Sequence, residues 1–489
     1  MRSLCIALLI VSSVSPMARA ADPPAAFSEP AAVLLNVSER DLNRIIVDAF
    51  HVNGGPRFTG EKERVSSSVA DLRYQANLSD PVIRLGKDGT ARLSLDVLDA
   101  SLRIGRLEGK IGGRQASCEE AGVDVDAGNP LAVDLELDLT VANGAFRVTP
   151  TSVTIPDAGE RLRLVEPARC RNTPLPRWFL WWLGKPYLRR SVGNLDAVVL
   201  ERARTSAARL EAKGSLLTKR WESTLRLSPE TLDTSGGSLL FGMTAVSGDA
   251  TVPSVPAARL DAAGPFPSGS FLGLSESFVN ETARRVTAKK SISHRKSTSN
   301  YRKLLASDAV YALIPGLRKL DSKANVYFEV AFPSAPQFEF RRLGGQALIR
   351  VLLSGVAIEV RKDEGGRQTL LGTLRVDSGR MGVVPFTNLL GGVSFRIVEN
   401  EWQVSSSGLE FDEDLVAATL QEITFGKIFA TSYEPLLART LRVGATEFIP
   451  QSFDVTSGYL VIGLGEPRPT ETGTPVAAAT RTGTPPGSR

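Results

Sequence analysis

The hydrophobic residues of this chain follow two spacings, one typical of a helix and the other of strands. Near the N-terminal end, apolar residues recur at positions i, i+3, i+4, i+7 and i+8, which places them on one helix face: Leu42, Ile45, Ile46, Ala49 and Phe50. Further on, residues 133–141 alternate apolar and polar without interruption. A period of two over this length predicts a strand of about 30 Å with one solvated and one dry face. The pattern therefore predicts a long antiparallel sheet whose dry face the helix can cover.

A nine-residue segment at the start of this helix occurs twice. Residues 35–43 read LNVSERDLN and residues 272–280 read LGLSESFVN, at a spacing of 237 residues from Val37 to Leu274. Ser38 and Ser275 are predicted N-caps, whose hydroxyl accepts a hydrogen bond from a first-turn N–H, worth about 1 kcal/mol. Asp41 is at the capping-box position, where its carboxylate is expected to bind the cap residue's N–H.

A second repeated segment closes each half of the chain. Residues 229–242 (PETLDTSGGSLLFG) align without gaps on residues 450–463 (PQSFDVTSGYLVIG), at a spacing of 221 residues from Pro229 to Pro450. The proline, the aspartate and two glycines coincide, and each apolar position stays apolar. Two matches in the same order indicate an internal duplication, with a period long enough for each copy to be a domain.

Composition shifts give the predicted domain boundaries. Residues 1–20 are predicted to be a secretory signal peptide, because a short apolar run ends at Ala18-Arg19-Ala20, with cleavage before Ala21. A Pro/Ala-rich leader is expected at 21–32. The first domain is predicted at 21–243 with a second helix at 187–213. A Pro/Gly-rich linker is predicted at 244–270, the second domain at 271–465 with a helix at 414–430, and a disordered tail at 466–489.

The expected location of the protein follows from this signal and from the cysteines. No stretch after the signal reaches about 20 apolar residues, so an exported protein is expected, secreted or periplasmic, and soluble or peripheral. Cys118 and Cys170 are the two cysteines beyond the signal. In an oxidising compartment such a pair forms a disulfide, and two free buried thiols are the alternative.

Charge is distributed unevenly along the chain. The 489 residues carry 58 basic and 53 acidic side chains, a net charge of +5. Residues 161–220 contain 14 Lys and Arg against four acids, and residues 284–303 contain eight basic residues and no acid. Such blocks suit anionic lipid headgroups, lipopolysaccharide or nucleic acid, and export makes nucleic acid the least expected partner. Solvated helix faces and a loop are the alternative interpretation.

The first basic block contains a tryptophan cluster. It combines aromatic rings with flanking cations, an arrangement that suits a membrane interface: Trp178, Trp181, Trp182, Arg177, Lys185, Arg189 and Arg190. A plug packed between helix and sheet is the alternative. We expect a peripheral membrane contact here.

Catalytic signatures are scarce. The chain has two histidines, His51 and His294, and no nucleophile-elbow, zinc-protease, Walker or dinucleotide-binding motif. We therefore expect a protein that is not an enzyme and that has no cofactor and no metal. A hydrolase acting through two carboxylates stays open as an alternative, because that chemistry needs no histidine.

The duplicated plan resembles one family over residues 33–465. Two segments carry the resemblance: Ile314-Pro315-Gly316-Leu317 leading to Val326-Tyr327-Phe328-Glu329-Val330-Ala331-Phe332-Pro333, and Phe448-Ile449-Pro450 leading to Gly458-Tyr459-Leu460-Val461-Ile462. They look like the bactericidal permeability-increasing protein, lipopolysaccharide-binding protein and lipid-transfer family. The resemblance implies an α+β fold of two tandem pseudo-symmetric tubular lipid-binding domains, each a long twisted antiparallel sheet wrapped around an amphipathic helix. It also implies one disulfide in the first barrel, and Cys118 and Cys170 lie in matching places.

The resemblance gives the dry helix faces a use as grooves for acyl chains of phospholipid or lipopolysaccharide. The groove candidates are Leu42, Ile45, Ile46, Phe50, Phe278 and Val279. Ordinary helix-to-sheet core is the alternative for each of them. A structural or adhesion protein with filled duplicated β-domains is the alternative for the whole chain.

Overall fold

The computed structural model describes residues 27–64, 69–111, 114–126, 128–171, 195–212, 219–221, 225–234, 236–247, 266–289, 308–320, 325–331, 334–364, 367–387, 393–426, 441–443 and 446–466. The predicted signal peptide, the tryptophan cluster, most of the linker, and the tail beyond Glu466 lie outside these ranges. So do residues 290–303 of the second basic block.

Residues 28–247, termed the first half, contain fourteen described strands and three described helices. In chain order they are β1 (Ser28–Ser38), α1 (Glu39–Val52), β2 (Arg57–Arg64), β3 (Val69–Leu78), β4 (Val82–Leu85), β5 (Thr90–Ile111), β6 (Arg114–Glu119), β7 (Ala121–Val125), β8 (Leu131–Ala142), β9 (Ala145–Thr154), α2 (Ala158–Arg161), β10 (Leu162–Val165), β11 (Arg169–Arg171), α3 (Leu195–Ala212), β12 (Lys219–Trp221), β13 (Leu225–Asp233) and β14 (Ser238–Ser247).

Residues 271–465, termed the second half, repeat the plan with fewer strands. They form β15 (Phe271–Ser275), α4 (Glu276–Lys289), α5 (Asp308–Leu313), a 3-10 helix (Pro315–Lys319), β16 (Asn325–Ala331), β17 (Gln337–Leu343), β18 (Gln346–Glu364), β19 (Arg367–Thr387), β20 (Val393–Ser407), α6 (Glu413–Gly426), β21 (Leu441–Val443), β22 (Thr446–Thr456) and β23 (Tyr459–Gly465).

The fold is a sheet-rich α+β fold, as predicted, and its described strand pairs are antiparallel. Both halves contribute to one shared eight-stranded sheet of order β12-β13-β14-β1-β15-β23-β22-β21. Its two central strands, β1 and β15, pair across the halves from Val33 with Leu274 to Asn36 with Phe271. The remaining strands form a ten-stranded sheet in the first half and a five-stranded sheet in the second.

The repeated sequence segments occupy equivalent positions in the shared sheet. The β13–β14 ladder shifts register between Pro229 and Thr231, and the β22–β23 ladder shifts at the matching residues, Pro450 and Ser452. The first backbone N–H of each helix is bound in the same way, since Glu39 donates to the Gly237 carbonyl at 3.1 Å and Glu276 donates to the Gly458 carbonyl at 2.9 Å. The two halves are thus related by local geometry as well as by sequence.

Each long helix also contacts strands of the other half. The guanidinium of Arg44 on α1 lies 4.6 Å from the centre of the Phe448 ring on β22. Phe278 on α4 packs among first-half residues that include Leu225, Leu227 and Met243. These contacts join the halves through side chains in addition to the backbone ladder.

Two described strands extend past the segment ends expected from composition. The predicted strand at 133–141 lies within β8, but β1 begins at Ser28, inside the segment predicted as a leader. Ala31 adopts a positive φ of 51°, and the β1–β14 register shifts between Glu29 and Val33, so a Pro/Ala-rich stretch is accommodated in a strand through a bulge. Strand β14 continues to Ser247, four residues past the predicted end of the first domain at residue 243. In the described ranges, no helix has the length and hydrophobicity to cross a bilayer.

Candidate apolar groove

Helix α1 starts at the predicted N-cap, but its capping network differs from the predicted capping box. The Asp41 N–H donates to Ser38 Oγ at 3.2 Å, as expected. The Ser38 N–H, however, donates to Ser270 Oγ at 3.0 Å, and Ser270 Oγ in turn donates to the Asp41 carboxylate at 2.5 Å. The aspartate side chain is too short to reach the cap N–H alone, so a serine just before the second half completes the box.

Two polar side chains of α1 fix its rotation against the edge of the ten-stranded sheet. Asn43 donates from Nδ2 to the Ile83 carbonyl at 2.9 Å and accepts from the Ile83 N–H through Oδ1 at 2.7 Å. The Glu39 carboxylate accepts from the Leu85 N–H at 2.8 Å. Together these bonds satisfy backbone groups at the free edge of β4. We call the Glu39–Asn43 pair the first-half clamp.

An equivalent clamp exists in the second half. Asn280 donates to the Phe338 carbonyl at 2.9 Å and accepts from its N–H at 2.6 Å, while Glu276 accepts from the Phe340 N–H at 2.7 Å. Ser275 caps α4 by accepting from the Phe278 N–H at 3.1 Å. The shared Ser-Glu-x-x-x-Asn pattern therefore serves to cap a helix and hold it to a sheet edge.

With this rotation, α1 directs its apolar face into the space between the shared sheet and the ten-stranded sheet. Leu42, Ile45 and Ile46 are partly buried and pack on a cluster that contains Leu137 and Phe241. Several surrounding side chains are also only partly buried: Leu93, Leu135, Val141, Phe146, Val148 and Leu232. The apolar face of α1 is thus surrounded by hydrocarbon side chains, many of them partly accessible, and we call this region the first-half groove.

Strand β8 forms the floor of this groove over its whole length. Its inward residues are Leu131, Val133, Leu135, Leu137, Leu139 and Val141, which span about 34 Å at the usual strand rise. Leu135 belongs to the α1 cluster and also to a second cluster that includes Val199 and Leu200 of α3. The apolar lining therefore continues from α1 to α3.

The remaining groove candidates lie elsewhere. Phe50 is at the C-terminal end of α1, where its ring centre lies 6.3 Å from that of Phe58. Phe58 and Val52 are exposed there, at 42% and 72%. Phe278 is 3% exposed and belongs to the core between the halves. Val279 touches this core and also a cluster around Phe340. The structure thus brings Leu42, Ile45 and Ile46 together and separates them from the other three.

The predicted disulfide is present. Cys118 on β6 and Cys170 on β11 are directly opposite in the ladder and are bonded, with their Cα atoms 4.1 Å apart. The tryptophan-cluster residues that follow lie outside the described ranges, so their membrane role stays a prediction.

Perturbed pKa values occur at ion pairs and not in the groove lining. Hydrogen bonding to Asp124 raises the pKa of Arg103. Burial raises the pKa of Glu281, but hydrogen bonds from Arg284 and Arg285 outweigh it and the net pKa is lowered. Hydrogen bonds from Ser152 and Arg92 lower the pKa of Glu136. Over the described residues, no group of three His, Cys, Asp or Glu could hold a metal ion.

A larger charge network lies on the second-half sheet. Arg350 donates from Nε and Nη2 to the Glu399 carboxylate at 2.7 Å each and from Nη1 to Glu339 at 3.1 Å. This bidentate pairing raises the pKa of Arg350 and lowers that of Glu399. The neighbouring Arg380 has a raised pKa because it donates to Glu401. These groups pair with one another along a sheet face, as structural ion pairs do.

Several residues of the site were not identified from the sequence. Phe146 and Val148 on β9 add to the groove wall, and their alternation with polar residues was the available signal. The strand residues bound by the clamps, Ile83 and Phe338, could not be identified from the sequence, because only their backbone groups take part in these hydrogen bonds.

Solved structures with similarity to this chain cover most of its length at low identity. Lipopolysaccharide binding protein has a TM-score of 0.40 and 13% identity, over 89% of this chain and 99% of that chain. P47 of Clostridium botulinum E1 has a TM-score of 0.26 and 7% identity, over 89% of this chain and 98% of that chain. P47 from Clostridium botulinum A2 has a TM-score of 0.23 and 10% identity, over 88% and 96%. No protein-family model matches the chain, and no curated protein does.

Proposed function

We propose that this chain is a lipid-binding protein that holds acyl chains in the first-half groove. One observation carries the proposal: the lining is apolar and continuous from α1 to α3, while Leu42, Ile45 and Ile46 remain partly accessible. A long apolar lining with few polar groups suits an unbranched hydrocarbon chain.

The energetics of such a ligand imply exchange at a membrane. Burying a methylene contributes about 0.8 kcal/mol, so an acyl chain of roughly 15 methylenes gains about 12 kcal/mol over water. A ligand held this strongly leaves slowly into solvent. Exchange then requires the protein to dock on a bilayer so that the chain moves between two apolar phases.

The tryptophan cluster and the basic blocks are our candidates for that docking surface, with anionic headgroups of phospholipid or lipopolysaccharide as the partner. The Cys118–Cys170 disulfide supports an oxidising compartment, such as the periplasm or the extracellular space. The proposal assigns the chain lipid binding and transfer, with no catalytic step, cofactor, metal or nucleic acid.

Native mass spectrometry of the protein purified without detergent from its own host tests the proposal, followed by solvent extraction and lipid analysis. We expect co-purified diacyl lipid. A lipid-free mass, together with no uptake from added phospholipid or lipopolysaccharide vesicles, would refute the proposal and favour a structural protein with filled domains.

A further inference from the structure

The two clamps allow the interiors of the two halves to be compared residue by residue. Because each clamp bonds a helix through its Glu and Asn to the same two positions of an edge strand, α1 and α4 have the same rotation and start. Leu42, Ile45 and Ile46 of α1 thus correspond to Val279, Thr282 and Ala283 of α4.

The inner face of α4 is smaller and more polar than that of α1. Each of the three positions loses hydrocarbon in the second half, and Thr282 adds a hydroxyl that donates to the Phe278 carbonyl of its own helix at 2.8 Å. A long acyl chain therefore finds less apolar surface along α4.

The strand facing α4 carries larger side chains than its first-half counterpart. Phe338 and Phe340 of β17 stand at the positions of Ile83 and Leu85 in β4. Phe340 is 4% exposed and packs with Ala347, Val455 and Leu460. Val279 of α4 packs on this cluster, so phenylalanine on the strand adds hydrocarbon at a level where the helix has smaller side chains.

The distal part of the second half contains an additional plug. Ile314 and Leu317, from the segment with α5 and the 3-10 helix, are buried against strands β16, β18 and β19 and against Phe411. Gly316 lies so close to Leu409 that an added Cβ would be 2.6 Å from its Cδ1. In the first half, only residues 53–56 separate α1 from β2, so the equivalent connection is too short to supply such a segment.

We propose that acyl chains bind in the first half alone, and that the second half is a closed counterpart that carries no lipid. This inference rests on the proposed function and specifies its stoichiometry, one diacyl lipid per chain. In this proposal the two halves share a common plan, but in the second half protein side chains occupy the space that lipid occupies in the first.

Two measurements on the full chain test this inference. The chain is first loaded from vesicles of phosphatidylcholine and phosphatidylglycerol that contain a phospholipid with a photoreactive acyl chain. Native mass spectrometry then counts the lipids, and peptide mapping after irradiation locates the cross-links. We expect one lipid per chain and cross-links to α1, β8 or β9. Two lipids per chain, or cross-links to 276–285 or 337–343, would overturn the inference while leaving the proposed function intact.

A matched pair of variants adds an independent readout. Ile46→Gln buries an amide in the groove and is expected to lower lipid uptake about tenfold, whereas Ala283→Gln at the equivalent position is expected to leave uptake unchanged. Circular dichroism melting checks that both variants fold, and the cross-link map of the wild-type chain decides the question if either does not. Equal losses in the two variants would contradict the inference, and absence of lipid from every form would refute the proposed function itself.

Discussion

The two clamps predict a reciprocal pair of local effects. Asn43→Ala removes the side chain that bridges α1 to Ile83, and Asn280→Ala removes the one that bridges α4 to Phe338. Each variant retains the adjoining hydrogen bond, which the Leu85 N–H donates to Glu39 or the Phe340 N–H donates to Glu276, so the helix stays near the strand. The perturbation is therefore confined to one sheet edge in each variant.

The expected change in amide exchange follows from the number of hydrogen bonds that each variant loses. Asn43 makes two hydrogen bonds to Ile83, at 2.9 and 2.7 Å, and both groups of Ile83 are partly buried. A net loss of about 1 kcal/mol for each bond gives about 2 kcal/mol for local opening of the edge. Because 1.4 kcal/mol is a factor of ten, amide exchange in β4 should become about 30-fold faster.

Hydrogen exchange followed by peptide mass spectrometry measures both edges in one sample. Asn43→Ala should accelerate exchange in Val82–Leu85 and leave Gln337–Leu343 unchanged, and Asn280→Ala should do the reverse. Each variant is thus the control for the other. If either variant left its own strand at the wild-type rate, the clamp would not hold that strand, and the assignment of the repeated motif would be wrong.

Three further predictions concern other parts of the chain. Replacing Cys118 and Cys170 by serine should lower the free energy of unfolding by about 4 kcal/mol on the chain-entropy estimate, measured by urea denaturation, and a reductant should destabilise the wild type but not this variant. Changing Trp178, Trp181 and Trp182 together to alanine should weaken sedimentation with anionic vesicles, and unchanged binding would exclude the cluster as the docking surface. The pKa of Glu399 is lowered in the folded state by Arg350, so the pair should contribute stability above the ordinary carboxyl pKa of 4.5. That contribution should be lost as pH falls through the lowered value, and Glu399→Gln should flatten this acid-side loss in a series of melting curves.

Local features of the chain could be predicted well from the sequence. The alternation in β8, the capping serines and the repeated segments each depend on neighbouring residues. Their consequences, such as the strand and the helix starts, follow from local stereochemistry. The disulfide could be inferred because Cys118 and Cys170 are the two cysteines beyond the predicted signal peptide.

Long-range pairing limited the rest of the prediction. The role of Asn43 depends on Ile83, which contributes only backbone atoms, and the Ser38 cap is completed by Ser270 more than 200 residues away. The sequence pattern made both Phe278 and Leu42 groove candidates, although the structure separates them. A helical period gives the direction of a side chain but does not show which residues it packs against. Phe278 packs on Leu225, Leu227 and Met243 of the first half, residues far away in the sequence.

The position of β1 has a consequence for how the chain folds during synthesis. β1 is made long before its partner β15, yet the two strands lie side by side at the centre of the shared sheet, where Val33 pairs with Leu274. At about 5–20 residues per second, translation needs on the order of tens of seconds to reach that partner. During this interval the edge of β1 that later meets β15 has no partner strand, which invites pairing with another nascent chain. A protein built in this way should depend on a chaperone that covers this edge until the second half emerges.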